Sequence, residues 1–148
     1  MKTKLLIIFL ITGLAIQAQV VVKKLRCEML LNPLGIDAVQ PRFSWQLESN
    51  QRNVVQISYQ LIVSSSEQKL KAGDGDVWKS ATINDSKSLL ISYGGKPLQS
   101  ATKYFWQVRV ITNKGEAYSV ENAFFSTGLL QSDDWRSEEH TSELQSPC

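Results

Sequence analysis

The chain has 148 residues, of which 43% are hydrophobic and 20% charged, with a formal net charge of +2. That length suits one domain, and its charge is spread out, so no basic cluster argues for nucleic acid and no acidic block for a solvating tail. Two cysteines, Cys27 and Cys148, provide no disulfide framework.

Met1-Lys2-Thr3-Lys4 is a basic start, followed by the uncharged run Leu5–Ala15 and the small residue Ala18. This is the three-part layout of a secretory signal peptide over residues 1–18, and it is too short to span a bilayer comfortably. Cleavage is expected between Ala18 and Gln19, with export to the periplasm or beyond in a bacterial host and no membrane association after the cut. Cys27 follows no lipobox, so no lipid anchor is expected there. Residues 19–135 are then the folded domain.

Val20–Leu31 opens it with a β-branched run, then Leu25, Cys27 and Met29 in alternation, with Lys23, Lys24, Arg26 and Glu28 outward. These charges suit an edge strand. Asn32-Pro33-Leu34-Gly35 is a turn. Phe43, Trp45 and Leu47 alternate with Ser44, Gln46 and Glu48, which places Trp45 at the centre of a core. Ile57, Tyr59, Leu61 and Val63 alternate with Ser58, Gln60, Ile62 and Ser64. One helical turn is predicted near Glu67–Lys71, and short strands at Val77-Trp78 and Ser88–Tyr93.

Leu98–Val110 organises the rest. Tyr104, Trp106, Val108 and Val110 fall on one face of a strand, and Phe105, Gln107, Arg109 and Ile111 on the other. The spacing of Leu98, Thr102, Tyr104 and Val108 resembles the corner of a fibronectin type III or immunoglobulin-like sandwich, where a tyrosine hydroxyl bonds back to upstream backbone. Asn113-Lys114-Gly115 is a hairpin turn, with Asn and Gly able to take positive φ. Glu121–Thr127 is the last strand. The expected fold is all-β, an antiparallel sandwich of about seven strands.

Arg136–Ser146 reads RSEEHTSELQS. That string resembles the one-frame translation of a widely used sequencing-library adapter. Residues 136–148 are therefore expected to be an artefactual tail, with a different natural sequence following Trp135.

No residue carries a catalytic signature, and no catalytic, cofactor-binding or metal-binding residue is expected. The only histidine, His140, sits in the tail, which leaves Cys27 without a partner for zinc or nucleophilic work. Gly73-Asp74-Gly75-Asp76 lacks the further oxygen ligands of a calcium loop and reads as a solvated turn. Glycoside hydrolysis needs two carboxyls across a cleft. Glu28, Glu48, Glu67, Glu116 and Glu121 lie on outward positions or loops, and nothing singles out a pair. Phe105, Trp78 and Phe124 are candidate surface aromatics, able either to stack on sugar rings or to be covered by a neighbouring domain.

Taken in order, LRCEMLLNPLGIDAVQPRFSWQL (Leu25–Leu47), YQLIVSSS (Tyr59–Ser66), GDVWKS (Gly75–Ser80), YGGKPL (Tyr93–Leu98), YFWQVRV (Tyr104–Val110) and FSTGLL (Phe125–Leu130), with Asp134-Trp135, resemble one known domain. It is the N-terminal immunoglobulin/fibronectin-III-like domain of bacterial α-L-rhamnosidases of glycoside hydrolase family 78. The NPLGID…QPRFSWQL segment is the most specific part. The resemblance implies a larger exported enzyme in which a helical (α/α)6 barrel hydrolyses terminal α-L-rhamnosyl bonds with inversion. None of that barrel's acids lies in this chain. The partners implied are the neighbouring domains of the parent and, through its catalytic domain, a rhamnosylated glycan. The residues leave open a stand-alone carbohydrate-binding or adhesion sandwich.

Overall fold

In the computed structural model, which describes residues 20–119 and 121–135, the two-residue alternation becomes two packed antiparallel sheets. The expected signal peptide at 1–18, its cut before Gln19, and the expected tail at 136–148 with His140 and Cys148 lie outside the described residues. The strands are β1 (Val20–Cys27), β2 (Arg42–Ser49), β3 (Gln56–Ser64), β4 (Trp78–Lys79), β5 (Ile91–Ser92), β6 (Lys103–Thr112), β7 (Gly115–Tyr118) and β8 (Ala123–Ser126). One helix, α1 (Glu67–Lys71), follows β3 where the helical turn was predicted, capped by the Ser66 hydroxyl accepting from the Lys69 N–H. A 3-10 turn spans Ser132–Trp135.

The small sheet runs β1-β2-β5, with β1 at its edge as expected. The large sheet runs β4-β3-β6, and β7 and β8 share the far edge of β6. β7 faces the second half of β6 (Arg109↔Tyr118) and β8 its first half (Trp106↔Ala123). The expected last strand, Glu121–Thr127, is β8, and β7 is a further strand before it on the same edge. Between them Ser119 bridges to Val22 of the small sheet.

β6 has the expected faces: Tyr104, Trp106, Val108 and Val110 are buried, and the residues between them are half-buried. Phe43 from β2 meets Trp106 across the sandwich at 4.5 Å between ring centroids and Phe125 at 5.8 Å. Trp45 is buried as expected and packs edge-on to Tyr59 at 5.0 Å, while Phe43, Trp106, Phe125 and Tyr104 form a separate aromatic cluster. Each such side chain is worth a few kcal/mol when buried.

Three expectations need correction, at Met29, Ile57 and Ile62, and β1 keeps its core face only through a bulge. In β1, Val20 and Val22 are buried, and then Leu25 and Cys27. The register moves from Lys23↔Gln46 to Arg26↔Ser44, and Lys24 takes φ 51. This bulge restores Leu25 and Cys27 to the core face. Met29 is exposed instead of buried, because the strand ends at Cys27 in a turn with Glu28 at φ 49 and Met29 at φ 65. Ile57 is exposed because it is the extra residue of a second bulge, between Gln56↔Thr112 and Ser58↔Ile111. Ile62, expected outward, is buried on the outer face of the large sheet, where buried Leu70 of α1 also lies and the Leu70 carbonyl accepts from Gln107 Nε2.

The hairpin turn after β6 forms where expected, but only Gly115 takes positive φ, at 117. Asn113 acts through its side chain. Its Oδ1 accepts from the Val55 N–H at 2.9 Å, and its Nδ2 donates to the Asn53 carbonyl at 2.8 Å.

Candidate functional site

Four of the five candidate glutamates, Glu28, Glu48, Glu67 and Glu116, are paired with cations. Glu28 accepts from Arg42 three times, at Oε1 from the backbone N–H (2.7 Å) and Nε (3.2 Å) and at Oε2 from a terminal nitrogen (2.7 Å). Those bonds hold the Glu28 carboxyl below the usual carboxylate range. Glu48 pairs with Lys23 and Glu67 with Lys71. Glu116 pairs with Arg109 and accepts from the Tyr118 hydroxyl at 2.6 Å, which lowers its pKa. Glu121 is exposed. Among the described residues no group of three or more His, Cys, Asp or Glu side chains is placed to hold a metal ion.

The Gly73–Asp76 turn is spent on local structure. Asp76 Oδ1 accepts from the Ser65 N–H at 2.9 Å, and Oδ2 accepts from the Ser65 hydroxyl and Lys69 Nζ, each at 2.7 Å. Desolvation opposes ionisation of Asp76, but the bonds from Lys69 and Ser65 outweigh it and hold its pKa at about 2. The Asp74 carbonyl accepts from the Ser64 hydroxyl at 2.5 Å.

The three candidate aromatics separate. Phe105 and Phe124 are direct cross-strand partners with ring centroids 6.4 Å apart, and Lys103 Nζ sits 3.8 Å from the Phe124 centroid. Trp78 stands opposite Val63, which stands opposite Trp106, so its row belongs to the core side of the same sheet. It packs edge-on to Tyr93 at 5.1 Å. A shallow groove of about 530 Å³ runs over this corner, lined by Asp76, Trp78, Lys79, Gly94, Gly95 and Lys96. A Cβ on Gly95 would collide with the Tyr93 hydroxyl and with Trp78 Cβ, and one on Gly94 would stand 3.3 Å from the indole. The two glycines therefore clamp Trp78 into the edge of the core.

Cys27 is buried, and desolvation, with the Glu28 charge adding, pushes its thiol up to about 12. It is an inert core side chain.

A family model described as "Rha78A-like, N-terminal immunoglobulin domain" matches residues 22–131. The chain belongs to that family. Its sandwich is similar to part of an alpha-L-rhamnosidase of Formosa agariphila, 36% identical over 105 residues, which are 70% of this chain and 11% of that protein. An alpha-L-rhamnosidase of Streptomyces avermitilis is 38% identical over 109 residues, 73% of this chain and 10% of the relative. Among solved structures, alpha-L-rhamnosidase from Dictyoglumus thermophilum superposes with a TM-score of 0.73 at 39% identity, covering 78% of this chain and 13% of that one. The chain thus spans about a tenth of the length of the curated relatives it matches.

Two features of this rhamnosidase-family domain escape a reading by alternation. Gln56 is buried because the bulge at Ile57 turns it inward, where its Oε1 accepts from Trp45 Nε1 at 3.0 Å. Its Nε2 donates to the carbonyls of Asp85 (3.1 Å) and Lys87 (2.9 Å). The NPLG turn is a strap beside β8 that leaves Leu30, Leu31 and Leu34 exposed.

Proposed function

We propose that this chain is the non-catalytic N-terminal sandwich of an exported α-L-rhamnosidase that hydrolyses terminal α-L-rhamnosyl bonds of plant-type glycans. The family match across residues 22–131 carries the reading. The relatives named above share that activity in their names and are about ten times longer than the matched segment. Four of the five candidate glutamates are engaged in cation pairs, which agrees with it, because glycosidases work with two carboxyls flanking the bond. Export rests on the Met1–Ala18 layout. The domain's role is to support its neighbours, with the bond-breaking acids carried elsewhere in the parent.

The test is hydrolysis of an aryl α-L-rhamnoside. The 148-residue chain is expected to release no product and the intact parent gene product to release it. Product from the chain alone defeats the non-catalytic role, and none from the parent defeats the enzyme assignment. The paired Phe105 and Phe124 favour a second reading, a carbohydrate-binding module. Retardation of the chain in affinity electrophoresis by one plant polysaccharide, lost in Phe124→Ala, selects that reading.

A further inference from the structure

We infer that the strap Leu30–Ile36 is the seat for the domain that follows this sandwich in the parent protein, an inference that rests on the reading just proposed. Leu30, Leu31 and Leu34 are 58%, 61% and 76% exposed, within five residues of sequence. Single exposed leucines are ordinary on a protein surface, but a cluster on one element marks a contact.

The strap is rigidly held. The Ser126 N–H donates to the Pro33 carbonyl at 3.0 Å, the Ile36 N–H to the Ser126 carbonyl at 2.9 Å, and the Gly128 N–H to the Ile36 carbonyl at 2.9 Å. Asn32 Oδ1 accepts from the Phe124 N–H at 3.0 Å. To run this way the backbone takes φ 47 at Asn32 and φ 67 at Gly35, just after positive φ at Glu28 and Met29. Left-handed backbone at non-glycine residues such as Glu28 and Met29 is strained, and strain of this kind collects where a site needs it.

The position of the strap identifies its occupant. It runs parallel to β8, and Ile36 bridges to Thr127. The chain therefore passes Leu34 shortly before its exit, which runs through Gly128 and exposed Leu129 to the 3-10 turn at Ser132–Trp135, with the Leu130 N–H and the Asp134 carboxylate both bonded to the Ser100 hydroxyl. The matched family is an N-terminal domain, and the relatives continue for about nine tenths of their length outside the match. A domain that begins after Trp135 is separated from Gly128 by seven residues, each reaching at most about 3.6 Å, and so starts within reach of these leucines. The Phe105 and Phe124 pair is a poorer seat because Lys103 already covers it.

The test compares maleimide labelling of Leu34→Cys and Leu31→Cys in the parent protein and in the 148-residue chain, read by peptide mass spectrometry so that each site reports separately. Ile57→Cys, exposed beside the Thr112 end of β6, is the control. Labelling at positions 31 and 34 is expected to be at least about tenfold slower in the parent than in the chain, with no change at position 57. Equal rates at 31 and 34 in a parent that hydrolyses an aryl α-L-rhamnoside overturn the seat and leave the enzyme reading standing. A parent without that activity overturns the reading on which the seat depends. Slowing in the 148-residue chain that grows with its own concentration assigns the strap to a second copy and overturns the proposal.

Discussion

The hydroxyl of Tyr104 accepts the backbone N–H of Gln99 at 2.9 Å, five residues upstream, and fixes the corner that feeds β6. Thr127 completes the corner from the other side: its Oγ1 donates to the Gln99 carbonyl at 2.5 Å and accepts from the Thr102 N–H at 3.0 Å. Tyr104→Phe keeps the buried ring against Phe125 and removes only the acceptor. The variant is expected to lose about 1 kcal/mol, seen in urea unfolding as a lower midpoint with an unchanged slope. A change in slope or no change in midpoint would show that the corner is held without this bond.

Alternation made most of the two sheets legible, and one cause of failure is an inserted residue. A two-residue period assumes that no residue is inserted, and the bulges at Lys24 and Ile57 insert one each. In β1 the phase change is visible as Val22 and Leu25, three residues apart on one face. In β3, Ile57 hides it by being apolar on the wrong side. Ile62 shows a second limit, since α1 covers the outer face only after folding, beyond any local signal. The split of β7 from β8 depends on the pairing of Ser119 with Val22, again a long-range event. Phe105, Trp78 and Phe124 were legible only as candidate surface aromatics, and the pairing of Phe105 with Phe124 follows from the β6–β8 register. Trp78 was not separable from them, because its face follows from pairing with Val63.

Gln56 links three elements through one amide: the Trp45 indole, and the Asp85 and Lys87 carbonyls. Gln56→Leu matches its volume and leaves the buried indole N–H without its acceptor. Such a group costs about 1–3 kcal/mol, so Gln56→Leu is expected to be more damaging than Tyr104→Phe. Trp45→Phe combined with Gln56→Leu should recover part of that loss, because no donor is then stranded. A double-mutant cycle on unfolding free energies measures it, and strict additivity would break the link between the two side chains.

Asp76 sets a pH dependence of known sign. Its folded pKa is about 2, against 3.8 for the free group. As pH falls the unfolded chain therefore takes up this proton first, and the stabilisation from Asp76 is complete above about 4 and lost on the way down to about 2. Glu28 and Glu116, also lowered, act in the same direction. In Asp76→Asn the Asp76 part is absent at every pH. The unfolding free energies of the two proteins should differ most near neutrality and converge as pH falls towards 2, as measured by urea titrations at a series of pH values. A gap that stays constant across that window would remove the carboxylate from the account.

Cys27 shifts the other way and works as a reporter. Burial raises its thiol from 9.0 to about 12, so the folded chain keeps it protonated where the unfolded chain ionises. The stabilisation is present below about 9 and declines as pH rises from there towards 12. The thiolate is the reactive form, so native Cys27 at pH 8 should alkylate at least about a thousandfold more slowly than the unfolded chain. With Cys148→Ser in place, iodoacetamide labelling then reads the opening of the β1–β2 core, where Cys27 faces Phe43. Phe43→Ala, which strips the ring that contacts both Trp106 and Phe125, should cost about 3–5 kcal/mol and raise the labelling rate in proportion to the opened population. Fast labelling of the wild-type chain under native conditions would mean that Cys27 opens locally, without the core around Phe43.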